Sequence, residues 1–342
     1  MQLPDPDMHH HRKMRRRRFA GFIGIFISIG LLLSVAIYAY DLHLSPLTQI
    51  KTIINGPPTS TPTPIVTCKT AHHDPGDSTA SIISGGIQRT MLIHLASSYG
   101  IQPQALVVNY HGYNFTAQHM ARYSNMAAEA NKAGFILVFP EGVDSPPSWN
   151  AGLGAQGPTG SADDVQFTRD MLKYLEKNYC VDVHRVYVTG FSLGGGMAYR
   201  IACTLSDQIA AVATVAGAFY HAPGGCQPSR PVPVLEIHGQ ADQDAPYNGN
   251  PAMGMAAVQV YLNVWLGHDQ CSGSSQVIFK QADVTGIEWK QCANNTVVIH
   301  YRISDGGHTW PGGGIITSLG YTTHTIDANV VIWKFFSQYK TA

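Results

Sequence analysis

The chain has 342 residues, with 22 Lys plus Arg against 22 Asp plus Glu. This zero formal charge leaves no basic footprint for nucleic acid. Only 13% of the residues are charged, 44% are hydrophobic and 34 are glycine, which excludes a disordered chain or a coiled coil and favours a compact core joined by tight turns.

Residues 1–18 form a basic segment that ends in Arg12, Lys13, Arg15, Arg16, Arg17 and Arg18, and residues 19–40 carry no charge at all. As a helix this apolar run reaches about 33 Å, enough to cross the hydrocarbon of a bilayer. It reads either as a transmembrane signal anchor or as a signal peptide, with small-residue cleavage sites at Ser34-Val35-Ala36 and Ile37-Tyr38-Ala39. In both cases the basic flank orients the amino end to the cytoplasm, and the remainder is expected to be extracellular or held at the cell surface. The His9 to His11 cluster in the tail is given no role. Residues 41–67 end in NGPPTSTPTPIVT, too rich in proline for a helix and too polar to fold, and read as a linker. A single α/β domain is expected over 68–342.

All six cysteines, Cys68, Cys180, Cys203, Cys226, Cys271 and Cys292, follow the apolar run. An even number in an exported domain reads as three disulfides. The spacing suggests Cys203 with Cys226 and Cys271 with Cys292, each closing a loop worth around 3 kcal/mol, and leaves Cys68 with Cys180. None of the pairs has the CxxC spacing of a zinc or redox site.

Apolar runs then alternate with helix-period segments, the pattern of a mostly parallel sheet flanked by helices. Strands are expected at 90–96, 105–111, 135–139, 185–189, 210–215, 232–237 and 297–303. Helices are expected at 117–133, 163–178, 193–205, 252–266 and 326–339, the second opened by Asp163 and Asp164 at its positive end.

The strand at 185–189 runs into Gly190-Phe191-Ser192-Leu193-Gly194, a GxSxG sequence followed by a helix. In that setting the serine sits on a sharp strained turn with its hydroxyl exposed above the sheet, and flanking glycines avoid clashes with the neighbouring strand and helix. Ser192 is therefore the candidate nucleophile, and the Leu193 amide is a candidate oxyanion donor. A hydroxyl needs a base. In a chain order of Ser, acid, His, the loop after 232–237 supplies Asp242, with Asp244 as runner-up, and the glycine-rich loop after 297–303 supplies His308. His238, His300 and His324 read as packing residues, Asp305 as a turn former, and Asp163 and Asp164 as helix caps. Gly112 and Tyr113 follow the strand at 105–111, where either amide is placed to complete the oxyanion hole. Trp149 and Trp310 read equally well as an aromatic substrate wall or as core packing.

The strand ending in His111-Gly112, together with RVYVTGFSLGGGMAYRIAC, PVPVLEIHGQADQDAPY and DGGHTWPGG, resembles the polyhydroxybutyrate-depolymerase-like esterase family of α/β-hydrolases, which includes feruloyl and acetylxylan esterases. The resemblance covers roughly residues 86–339. It implies an α/β-hydrolase fold, a catalytic set of Ser192, Asp242 and His308, Trp149 near the site, and action outside the cell. The substrate it implies is a polyhydroxyalkanoate-type polyester or a feruloyl or acetyl ester of plant polysaccharide. Leu193 stands where many members carry Asn, which alters the chemistry beside the serine. The expected reaction is acyl transfer through an acyl-enzyme, with no metal, cofactor, nucleic acid or obligate protein partner. The alternatives are a peptidase or lipase of the same fold, or a catalytically silent membrane-tethered binding protein.

Overall fold

The computed structural model describes residues 73–100, 102–152, 162–220 and 225–342. The basic segment, the apolar run at 19–40, the linker and Cys68 all lie outside these residues. Among the described residues no helix is long and apolar enough to cross a membrane.

Ten strands form one sheet: β1 (Gly76–Ser84), β2 (Ile87–Leu95), β3 (Gln104–Tyr110), β4 (Ile136–Pro140), β5 (Val181–Phe191), β6 (Ala211–Val215), β7 (Val234–Gly239), β8 (Gln276–Gln281), β9 (Val284–Trp289) and β10 (Val298–Ile303). Their spatial order is β1-β2-β4-β3-β5-β6-β7-β10-β9-β8. The run from β4 to β10 is parallel, and the outer hairpins β1-β2 and β8-β9 add antiparallel edges. Strands β3, β4, β6 and β7 are buried at every residue. This burial explains their unbroken apolar runs, because a parallel sheet is covered on both faces.

The side chains of those strands alternate between two cores. Leu106, Val108, Tyr110, Ile136, Val138, Val186 and Val188 face one layer, which holds α3 (Asp164–Asn178), α4 (Leu193–Thr204) and α5 (Val258–His268). Ala105, Val107, Leu137, Phe139 and Tyr187 face the other, with α1 (Ala117–Ser124), α2 (Met126–Ala133) and α6 (Ala328–Phe336). Each large apolar side chain removed from water in these layers contributes about 1.5–3 kcal/mol. This three-layer arrangement is the α/β-hydrolase architecture.

Three local findings differ from the sequence reading. The single helix expected at 117–133 is two, because Asn125 adopts a left-handed φ of 52° between α1 and α2, a conformation asparagine tolerates better than most residues. The helix expected from 252 starts at Val258, since Pro251 and the left-handed Gly254 make a separate turn first. Strands β1, β8 and β9 were not anticipated. β8 is exposed along almost its whole length and so lacks a buried alternating face to betray it.

The expected disulfides Cys203–Cys226 and Cys271–Cys292 are formed. Cys180 is disulfide-bonded as well.

Candidate active site

The chain lays down β3, then β4 on one side of it, then β5 on the other. The crevice at the carboxyl ends of β3 and β5 is therefore a topological switch point, where open α/β sheets bind their ligands. Gly112 and Tyr113 leave the end of β3, and Ser192 leaves the end of β5. Asp242 follows the end of β7, and His308 follows β10. Ser192, Leu193, Gly112, Tyr113 and His308 line one cleft of about 280 Å³ there.

Ser192 has φ 57° and ψ −123°, a region costly for any residue with a side chain, by about 1–3 kcal/mol. The turn is held by its own hydrogen bonds. The Ser192 amide donates to the Val215 carbonyl at 3.1 Å, and its carbonyl accepts from Gly196 at 3.1 Å and Ala218 at 2.9 Å. A Cβ on Gly190 would run into the carbonyl of Gly194, and one on Gly194 into the carbonyl of Tyr110. Both GxSxG glycines are thus dictated by backbone contact. Leu193 opens α4, so its amide belongs to the first turn, which no helix carbonyl can serve.

His308 Nδ1 lies 2.8 Å from Asp242 Oδ2, and both residues are buried. The other carboxylate oxygen, Oδ1, accepts the amides of Asp244 at 2.9 Å and Ala245 at 2.8 Å. Burial alone would raise the Asp242 carboxyl, but donation from His238 and His308 holds it well below the usual carboxylate range. Phe191 stacks at a tilt on the His308 ring, 4.8 Å between centroids. Asp244, the runner-up acid, lines the cleft instead of contacting His308.

His111 orients the loop after β3. Its Nε2 accepts from the Gly142 amide at 2.9 Å, so the proton sits on Nδ1, which donates to the Gly112 carbonyl at 2.8 Å. Burial pushes this imidazole down to about 4, so it stays neutral. The Gly112 carbonyl also accepts from Phe115 at 3.1 Å. Because the two groups of a trans peptide point in opposite directions, the Tyr113 N–H is turned away from those donors.

Of the two readings left open for Trp149 and Trp310, their placement fits core packing. Both are fully buried and neither lines the cleft. Trp149 donates its indole proton to the His111 carbonyl at 2.8 Å, and Trp310 donates to Asn329 at 3.0 Å. Trp149 still acts near the site, since its ring packs 4.6 Å from that of His111. Asp163 caps α3 through the Gln166 amide as expected. Asp164 instead forms a buried 2.7 Å ion pair with Arg89, whose guanidinium also lies over the Phe167 ring.

His238 and His300, read from sequence as packing residues, belong with Glu236 to a buried polar chain behind Asp242. His238 Nδ1 lies 2.8 Å from Glu236 Oε1, and its Nε2 lies 2.8 Å from the Ala245 carbonyl and 3.4 Å from Asp242 Oδ2. The signal was a carboxylate two residues before a histidine within an apolar strand. The cleft residues Phe115, Tyr220, Met253 and Met255 left no comparable signal. The last three are gathered by a bridge between Tyr220 and Met255, whose contact is remote in sequence.

Residues 150–264 match the model of the dienelactone hydrolase family. Feruloyl esterase B of Piromyces equi is 37% identical over 169 residues, covering 47% of this chain and 30% of that protein. The putative esterase NocK of Nocardia uniformis subsp. tsuyamanensis is 33% identical over 233 residues, covering 62% of this chain and 66% of its own. The chain therefore spans between 30% and 66% of the length of these two relatives. Among solved structures, an acetyl xylan esterase from Aspergillus awamori superposes with a TM-score of 0.55 at 16% identity, over 76% of this chain and 99% of that one. Sheet topology and the structural likeness show the α/β-hydrolase fold, and the proteins that the chain is similar to include named esterases.

Proposed function

We propose that the protein is a serine carboxylic-ester hydrolase that releases feruloyl or acetyl groups from plant polysaccharide outside the cytoplasm. The observation that carries this reading is the 2.8 Å His308–Asp242 contact in the same cleft as a serine on a strained strand-to-helix turn. Binding alone does not require that combination. The substrate class rests on similarity to a feruloyl esterase and to an acetyl xylan esterase. The location rests on the disulfides, which persist in oxidising compartments.

The mechanism follows from the positions of the groups. With its Nδ1 proton held by Asp242, His308 presents a bare Nε2, which takes the Ser192 proton as the hydroxyl oxygen attacks the ester carbonyl. The resulting oxyanion is held by the amides of Leu193 and Tyr113. Tyr113 is chosen over Gly112 because the hydrogen bonds of His111 and Phe115 to the Gly112 carbonyl fix that peptide plane. His308 then gives its proton to the leaving alkoxide, and the acyl-enzyme is hydrolysed by a water that the same histidine deprotonates. Met253, Met255, Phe115 and Tyr220 give the cleft an apolar wall suited to the acyl group.

The test is hydrolysis of methyl ferulate, acetylated xylan, amorphous polyhydroxybutyrate and 4-nitrophenyl acetate, each beside Ser192→Ala. Release from ferulate or xylan that is lost in the variant supports the proposal. Release from polyhydroxybutyrate alone overturns the substrate class, and release that persists in Ser192→Ala overturns the mechanism.

A further inference from the structure

The buried chain behind Asp242 is larger than the reaction just described requires. From β7 and its following loop come Glu236, His238 and Asp242, and from β10 comes His300, the register partner of Glu236 in the parallel pair. His300 Nδ1 lies 2.6 Å from Glu236 Oε2, and its Nε2 lies 2.8 Å from the Tyr247 hydroxyl. Glu236, His238, Asp242 and His300 are each no more than 3% exposed. Two carboxylates removed from water to this degree require compensating protons or cations.

The geometry of His238 fixes its protonation. Every group within hydrogen-bonding reach of its two nitrogens accepts only: the Glu236 carboxylate at Nδ1, and the Ala245 carbonyl and the Asp242 carboxylate at Nε2. A neutral imidazole would leave one nitrogen lone pair aimed at an oxygen lone pair. The other groups around the chain do not remove this demand. Tyr247 packs edge-on against the His238 ring and bonds His300. Arg302 on β10 acts on Tyr247, Tyr261 on α5 faces Glu236, and His308 Nδ1 meets the same Asp242 Oδ2 at 2.8 Å. Burial would push His238 down, yet Glu236 and Asp242 together hold it up at about 10.

We propose that His238 is a positioning residue of the catalytic set: a standing imidazolium, with Glu236 as its counter-ion, that pins Asp242 and offsets its negative charge. This inference rests on the assignment of Asp242 and His308 above. Its consequence is electrostatic as well as geometric. With an imidazolium 3.4 Å from Asp242 Oδ2, the negative field of that carboxylate at the catalytic set is partly offset, which the acid limb of the reaction reads out. Glu236 exists in this scheme to keep the proton on His238. His300 lies against the second oxygen of Glu236, and Tyr247, bonded to His300, continues the chain outward.

The test joins a spectroscopic and a kinetic measurement. Protein labelled with 15N-histidine is titrated from about pH 5 to 9, the range over which an unperturbed imidazole loses its charge. One buried ring keeps protons on both nitrogens throughout, and in Glu236→Gln that ring becomes singly protonated by neutral pH. In parallel, the acid limb of kcat/KM on 4-nitrophenyl acetate moves upward by roughly half a pH unit in Glu236→Gln and further in His238→Gln, where the Glu236 charge remains. The double variant Glu236→Gln/His238→Gln carries neither buried charge and recovers stability while keeping the displaced limb. A purely structural role would lower the melting temperature and leave the limb in place. The proposal is overturned by a singly protonated His238 in the wild type at neutral pH, or by an unmoved acid limb in folded variants. If the variants do not fold, the wild-type titration decides it. A wild type with no ester turnover defeats the esterase reading instead, and the proton count on His238 is still measured.

Discussion

The carboxylate of Asp242 receives four donors on two oxygens, which makes Asp242→Asn an informative perturbation. Oδ1 takes the amides of Asp244 and Ala245, and Oδ2 faces His308 and His238. In the variant, the asparagine oxygen must occupy the Oδ1 position, because turning its NH2 toward two backbone amides would leave both unsatisfied at about 1–3 kcal/mol each. The NH2 group then faces His308 Nδ1. To accept that proton, His308 must carry its own on Nε2, and in this tautomer it cannot take the Ser192 proton. The expected loss in kcat is roughly 10³- to 10⁴-fold, or about 4–5.5 kcal/mol of transition-state stabilisation. Stopped-flow turnover of 4-nitrophenyl acetate by wild type, Asp242→Asn and Asp244→Asn measures it, with circular dichroism to check folding. Asp244→Asn should lose less than about tenfold, since Asp244 lines the cleft without contacting the base. A folded Asp242→Asn that keeps a tenth or more of the activity, or a larger loss in Asp244→Asn, would refute the tautomer argument.

Three further predictions concern stability. Trp310→Phe removes the indole donor to Asn329 and should lower stability by about 1–3 kcal/mol while leaving KM for a small ester within roughly twofold; a large rise in KM at unchanged melting temperature would restore Trp310 to the substrate wall. His238, raised from 6.5 to about 10 in the fold, contributes stability that is fully present below 6.5 and is lost as pH rises toward 10. The urea midpoint should decline across that window, and Glu236→Gln should flatten the decline. Burial lifts Asp269 from 3.8 to about 7 against its bonds to the Val232 amide and Thr296. Stability therefore falls as pH rises between those values, and Asp269→Asn should melt higher than wild type at pH 8 and equally near pH 4. A lower melting temperature at pH 8 would show that the ionised carboxylate is needed.

The parts of this protein that were legible in its sequence share a physical cause. Parallel strands buried on both faces must be continuous apolar runs, so β3 to β7 and β10 stand out, and the residues just past their carboxyl ends are the natural candidates for chemistry. The candidates Ser192, Asp242 and His308 were picked out in this way, helped by glycines that backbone contact imposes, and the fold brings them to one end of the sheet. The exposed edge strand β8 has no buried face and left no pattern. Glu236 and His300 gain their meaning only from the register of β7 against β10, a pairing between segments about sixty residues apart. The two tryptophans show a different limit. A large amphipathic ring beside a catalytic loop has the same signature whether it faces a ligand or donates its proton inward, as Trp149 does to His111.

The central claim is that Ser192 is an activated nucleophile, and covalent capture tests it most directly. The folded, disulfide-intact protein would be treated with a fluorophosphonate, digested and mapped by mass spectrometry, beside Ser192→Ala and Asp242→Asn. The account predicts one stoichiometric phosphonyl adduct on the peptide bearing Ser192, absent in the first variant and greatly slowed in the second. No adduct on the folded wild type, or an adduct on a different residue, would contradict it.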